Sequence, residues 1–206
     1  GTSTATVNVT VNPVNDAPVV GTLIPNQSGV DNTAVNIPVA GNFSDVDGNS
    51  LTFAATGLPA GLSINPVTGV INGTIDRNAS QPNGGIYTVS VTASDGNGGT
   101  VTTSFTYTVT NPPPVAANDS ATTNEDVPVT IAVLANDSDP DGDTLRVTSA
   151  TSPNGSVTIN PDGTITFTPA ANFNGPTTIT YAISDGNGGT STATVNVTVN
   201  PVNDAP

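Results

Sequence analysis

Residues 86–94, "IYTVSVTAS", decide the fold. Tyr87, Val89, Val91 and Ala93 fall on one side of an extended chain, with Thr88, Ser90 and Thr92 on the other. That period of two suits a half-buried strand and no helix. Working outward, "ATVNVTV" repeats the pattern with Val195, Val197 and Val199, and β-branched residues dominate both segments. Between such segments stand "PNGG", "DGNGG" and "NPDGT", turn sequences rich in residues that tolerate positive φ. No stretch carries a helical stripe. The pattern predicts an all-β chain of two β-sandwiches of about a hundred residues each, in the immunoglobulin-like size class.

The repeats set the domain organisation. "GTSTATVNVTVNPVNDAP" occupies Gly1–Pro18 and recurs unchanged at Gly189–Pro206, a period of 188 residues. The chain therefore reads as one period of an array plus an overlap. A shift of half that period, 94 residues, aligns "DNTAVNIPVAGNFSDVDGNSL" from Asp31 with "EDVPVTIAVLANDSDPDGDTL" from Glu125 without a gap. The expected division is 1–18 as the final strand and linker of a preceding repeat, then related sandwiches over 19–112 and 113–206.

Composition removes several function classes. The formal charge is −14, and Arg77 and Arg146 are the only basic side chains, so neither nucleic acid nor an anionic membrane surface is an expected partner. No apolar run approaches the ~20 residues of a membrane-spanning helix. His, Cys and Lys are absent, which leaves no ordinary nucleophile–base pair. A carboxylate pair acting on a glycosidic bond would need a cleft with aromatic platforms, and the chain has three Tyr, five Phe and no Trp. No enzyme is expected.

The acidic residues collect in turn-rich segments. In "NDSDPDGDTL", Asn136–Leu145, the carboxylates Asp137, Asp139, Asp141 and Asp143 stand at alternate positions. Extended backbone would put them on one side, where they repel unless a cation lies among them. Glu125 and Asp126, Asp185 in "SDGNGG", and the terminal Asn203 and Asp204 join them at the ends of the second domain. A hard cation such as Ca²⁺ takes about six to eight oxygen ligands, which separate loops at one end of a sandwich can supply together. "SDGNGG" serves equally well as a simple hairpin turn.

"LSINPVTGVINGTIDRN" followed by "YTVSVTASDGNGG" resembles the cadherin pattern of a "TG-I" turn, a "DRE" motif and an "A-x-D" strand end. "GLPAGLSINPVTGVI" is closer to bacterial cadherin-like and immunoglobulin-like repeats. "NEDVPVTI", "NDSDPDGDTL", "FTPAANFNG" and "SDGNGG" are similar to the tandem repeats of giant calcium-dependent, RTX-type bacterial biofilm adhesins. The resemblance covers nearly the whole chain. It implies junction calcium ions with ligands from linkers and from loops on both sides. By position these are Asn15 with Asp16 and Asn203 with Asp204 in the "NDAP" linkers, Asp45 with Asp47 and Asp137 with Asp139 in the "D-x-D" pairs, and Asp95 and Asp185 at the "A-x-D" ends. Asp31 and Glu125 match the early-strand acidic residue, and Asp76 with Asn78 the "DRE" carboxylates.

The two halves depart from that pattern differently. Where the second half has Asp137 and Asp143, the first has Phe43 and Asn49, and Pro112–Pro114 stand where the other linkers carry a ligand pair. The expected function is a calcium-stiffened extender on a bacterial cell surface that supports adhesion or biofilm formation. Its partners would be neighbouring repeats in the same chain, with surface polysaccharide or other adhesin copies beyond it. A calcium-dependent carbohydrate-binding module and a self-associating extracellular filament are the alternatives.

Overall fold

A computed structural model describes residues 1–12 and 14–203, and in it the chain is built almost wholly from β-strands. The helical pieces among the described residues are short 3-10 turns at Ala40–Asn42, Pro82–Gly85 and Val133–Ala135. Among the described residues, no helix is long and apolar enough to cross a membrane.

The second half forms one sheet of four strands, in the order Asp119–Asn124, Thr190–Asn200, Gly175–Ser184 and Arg146–Thr151. A sheet of three places Ile165–Pro169 between Val129–Ile131 and Gly155–Ile159. Asp119–Asn124 runs parallel to Thr190–Asn200, in register from Asp119 opposite Val195 to Asn124 opposite Asn200. Inward residues of the two sheets meet in one core: Val133, Ile165, Phe167, Ile179, Ile183 and Val195 have no exposed surface. Burying each such side chain is worth about 1.5–3 kcal/mol, which makes this core the main stabilising term of the half.

The first half has the same layout. Gln27–Val30, Thr100–Thr110, Ile86–Ser94 and Thr52–Thr56 form the four-stranded sheet, and Ala34–Pro38, Val70–Thr74 and Leu62–Ile64 the three-stranded one. The alternation read in "IYTVSVTAS" is realised, since Val89, Val91 and Ala93 are fully buried. Phe105 and Tyr107 are buried too, and the rings of Phe43 and Phe53 pack with centroids 5.8 Å apart.

The chain clusters into two compact units that do not follow the sequence halves. One comprises Gly1–Gln27, Ala34–Thr74 and Tyr87–Tyr107; the other comprises Ser28–Thr33, Ile75–Ile86 and the chain from Thr108 onward. Two segments of the first half, carrying Asp31 and Arg77, therefore belong to the unit that holds the second sandwich.

Residues 1–12 form no strand, and Val7, Val9 and Val11 are 79–85% exposed. The same sequence at residues 189–200 builds the buried strand Thr190–Asn200. Identical residues take different states because only the second copy has strands on both sides to satisfy its N–H and C=O groups.

Candidate metal centre

Asp139, Asp141 and Asp143 are brought together, with one carboxylate oxygen of each within 4.8 Å of the others. The loop is a tight turn, not the extended strand that alternate spacing suggests. Asp139 Oδ1 accepts from the backbone N–H of Asp141 and Gly142 at 3.1 Å and of Asp143 at 3.2 Å. Gly142 sits at φ +83°, which L side chains rarely adopt.

Because the turn curls, Asp137 leaves the group. Its Oδ1 accepts from Ala117 N at 2.7 Å, and it faces the Tyr181 hydroxyl at 3.3–3.4 Å. That hydroxyl also meets Asp119 Oδ2 at 3.0 Å and Ala117 O at 2.8 Å. Burial, then the neighbouring Asp137 charge, push the Asp119 carboxyl up despite the bond from Tyr181; burial and both carboxylates push the phenol up as well. The expectation that Asp137 joins the other three carboxylates is thus corrected: it bonds the backbone at Ala117 and faces Tyr181 instead.

The remaining three carboxylates are unequally provided for. Asp139 Oδ2 and both Asp141 oxygens are buried without a hydrogen-bond partner among the described residues, although Asp141 is only 5% exposed. Burial, then the proton it can share with Asp139 and repulsion from Asp139, Asp143 and Asp31, push Asp141 up to about 7. Burial raises Asp139 too, but the proton it could share with Asp141 and the backbone N–H groups of Asp143, Asp141 and Gly142 outweigh it and hold Asp139 below the usual carboxylate range. Asp143 is served on both sides, by Arg77 Nη2 at 3.1 Å and by Asn187 Nδ2.

Asp31 lies close enough to act on Asp141, is 2% exposed, and accepts from Ser80 N at 3.0 Å. Asp185 Oδ1 accepts from Asn187 N and Gly189 N, while its Oδ2 accepts from Asn111 Nδ2 at 2.8 Å. The Asn111 Oδ1 left over is buried and has no partner among the described residues. Asn111 and Asn187 were missed from the sequence. Aligning "NPPP" with "NDAP" on Asn111 and Asn15 would have found the first of them.

The first half builds a similar but more self-sufficient turn. Asp45 Oδ1 accepts from Asp47 N and Asn49 N at 2.9 and 3.1 Å, with Gly48 at φ +74°. Asp47 Oδ2 accepts from Asp16 N at 2.7 Å. Asn15 donates to Asp95 Oδ2 at 2.8 Å and accepts from Asn49 Nδ2 at 3.1 Å. The bond from Asn15, and further ones from Asn97 N and Gly99 N, hold Asp95 below the usual range against burial. Among the described residues of this turn, only Asp45 Oδ2 is buried without a partner. The final glycine of each "DGNGG" is required, because a Cβ at Gly99 or Gly189 would collide with the carboxylate of Asp95 or Asp185 and with the adjoining linker.

Two predicted ligands, Asp76 and Glu125, stand elsewhere. Asp76 is exposed and caps its own loop, accepting from Asn78 N at 2.9 Å. Glu125 is buried and accepts from Asn174 Nδ2 at 3.2 Å and from the N–H of Val202, beside the exposed Asn203. Asp204 lies outside the described residues.

Residues 111–198 match the family described as Bacterial Ig domain, and residues 17–110 the family described as Putative Ig domain. No curated protein sequence matches the chain. Among solved structures, an endo-fucoidan hydrolase of glycoside hydrolase family 107 is similar at 18% identity and TM-score 0.44, over 94% of this chain and 30% of that one. Drosophila N-cadherin EC1–4 follows at 16% identity and TM-score 0.42, over 90% and 50%. Human protocadherin-24 EC1–2 stands at 16% and 0.38, over 94% and 100%. The chain thus spans under a third of the hydrolase and half of the N-cadherin fragment. Likenesses of this size carry no argument about activity.

Proposed function

For two immunoglobulin-like domains in tandem, we propose the role of a non-catalytic, calcium-binding extender in a large bacterial surface adhesin of the RTX biofilm type. In an array with a 188-residue period, such units would hold a functional tip away from the cell, with calcium stiffening the chain between successive domains. The observation that carries this reading is the set of orphaned oxygens. Asp139 Oδ2, Asp141 Oδ1 and Oδ2, and Asn111 Oδ1 are buried with no donor, and a buried carboxylate that neither pairs nor protonates is expensive.

These residues fit a hard cation. All the orphaned atoms are oxygens, and Ca²⁺ prefers about six to eight of them, from carboxylates, amide carbonyls and water. Asp139, Asp141 and Asn111 would hold the ion, with Asp31 and Asp185 completing its charge balance. Bound there, calcium would neutralise the repulsion and tie the 28–33 and 75–86 segments to the second sandwich. Asp45, Asp47, Asn15, Asp16 and Asp95 would form a weaker site in the first half, and Glu125 with Asn203 and Asp204 the matching end of the next junction. Two Ig-family matches in tandem support an extracellular, adhesion-type repeat.

Calcium titration with melting temperature and solution scattering as joint readouts tests the proposal. Free calcium at about a hundred times Kd should stabilise the fold by about 2.7 kcal/mol, and a stiffened chain should show a longer maximum dimension. Identical melting in calcium and in chelator would sink the reading.

A further inference from the structure

We propose that Arg77 is a resident counter-cation of the acidic loop: it neutralises Asp143, reserves Asp139 and Asp141 for a divalent ion, and keeps the loops together before that ion arrives. The metal half of this statement rests on the calcium reading above; the charge-balance half does not.

Arg77 is one of only two basic residues in a chain of formal charge −14, so its position matters. Its Nη2 donates to Gly142 O at 2.8 Å and to Asp143 Oδ1 at 3.1 Å. Most ion pairs at a surface contribute little, because water screens both partners. Here the guanidinium is about half exposed, but the Asp143 side chain is only 5% exposed. Asp143 also stands beside two further carboxylates within 4.8 Å. Truncating Arg77 would leave a buried charge next to like charges, which costs far more than losing an exposed bridge.

The division of labour follows from the hydrogen bonds. Arg77 and Asn187 occupy both oxygens of Asp143, whereas three oxygens of Asp139 and Asp141 have no partner among the described residues. Arg77 therefore serves the carboxylate at one edge of the cluster and leaves the others free. It also spans 66 residues of sequence to reach Asp143, so the bond closes a long loop that calcium would otherwise have to close alone. Its positive charge must at the same time oppose a divalent ion placed beside Asp141.

The test uses the full chain with Arg77→Gln, Arg77→Lys, and Arg77→Gln combined with Asp143→Asn. In chelator, Arg77→Gln should lower the melting temperature by about 3–6 °C, Arg77→Lys should retain most of it, and the double variant should recover most of the loss. An Arg77→Gln variant that melts like the parent, or a double variant with no recovery, would overturn the proposal. In calcium, Arg77→Gln should bind about fivefold more tightly and gain more stability than the parent, because the opposing charge is gone. An equal or smaller gain would mark Arg77 as a mere structural tie and overturn the counter-cation role. If the parent itself gains nothing from calcium, the calcium reading fails, and the chelator series still decides whether Arg77 balances Asp143. Should Arg77→Gln fail to fold, the lysine variant carries the comparison, with charge kept and the two-point geometry lost.

Discussion

The turns Asp45–Asn49 and Asp139–Asp143 share a backbone design and differ in what their side chains lack. Each opens with an aspartate that accepts from backbone N–H groups ahead of it, and each has a glycine at positive φ in fourth position. In the first turn, Asn49 hydrogen-bonds Asn15, Asp47 takes the N–H of Asp16, and one orphaned oxygen is left. In the second, Asp143 replaces Asn49, Asp141 is buried, and three oxygens within the turn are orphaned. With help from its linker one turn leaves a single oxygen unmet; the other leaves three. The difference teaches that a shared "D-x-D-G" spacing predicts the turn, while the surrounding donors determine how strongly it demands a cation.

Asp139→Ala should break the comparison most severely. It removes three backbone acceptances and a candidate ligand together, for a loss of about 2–4 kcal/mol in calcium. Asp45→Ala should cost visibly less, and equal losses in thermal melts would show that the two turns are equivalent. Asp141→Asn sharpens the contrast. In chelator it should stabilise by about 1–3 kcal/mol, since it removes a buried, repelled charge, yet it should abolish most of the calcium-dependent gain. Asp47→Asn should stay within about 0.5 kcal/mol in chelator, because Asp47 is exposed and already has a backbone partner.

The pH dependence supplies a third, intermediate effect. Asp141 is raised to about 7 in the folded state, above the ~3.9 of an unfolded aspartate. Between those values the native state holds the extra proton, so this group favours folding at low pH and its contribution falls as pH rises toward 7. In chelator the melting temperature should accordingly rise by a few degrees as pH is lowered from about 8 to about 5. In saturating calcium the carboxylate is held ionised and the trend should flatten or reverse. Superimposable profiles in the two media would contradict the assignment. Asn49→Asp should have a small effect: a loss below about 1 kcal/mol in chelator from breaking the Asn15 bond, offset in calcium by a stronger first turn. A calcium gain unchanged from the parent would show that a carboxylate at that position is not what separates the turns.

Much of the architecture was legible in sequence, because period-two alternation with β-branched residues has one structural meaning. Val89, Val91, Val195 and Val197 lie buried where the pattern puts them. The acidic loop was legible as a cluster but not in its membership. Alternate spacing presumes extended backbone, whereas Pro140 and a left-handed Gly142 curl the chain, so Asp137 turns toward Tyr181 while the other three converge. Asn111 bonds Asp185, 74 residues away, and only the alignment of its linker on Asn15 points to that contact. The Arg77–Asp143 pair is long-range in the same sense. The strand expected within residues 1–18 depends on context, since its sequence forms a strand at 190–200 and none at 1–12.

The parallel pairing of Asp119–Asn124 with Thr190–Asn200 has a mechanical meaning. Tension entering at the start of one strand and leaving at the end of the other pulls the two past each other along their length. The six facing residue pairs are then loaded side by side and must yield nearly together, whereas a hairpin pulled from its open end unzips one pair at a time. A sandwich tethered through these two strands resists stretching most at the place where the load enters, and it yields abruptly when it does.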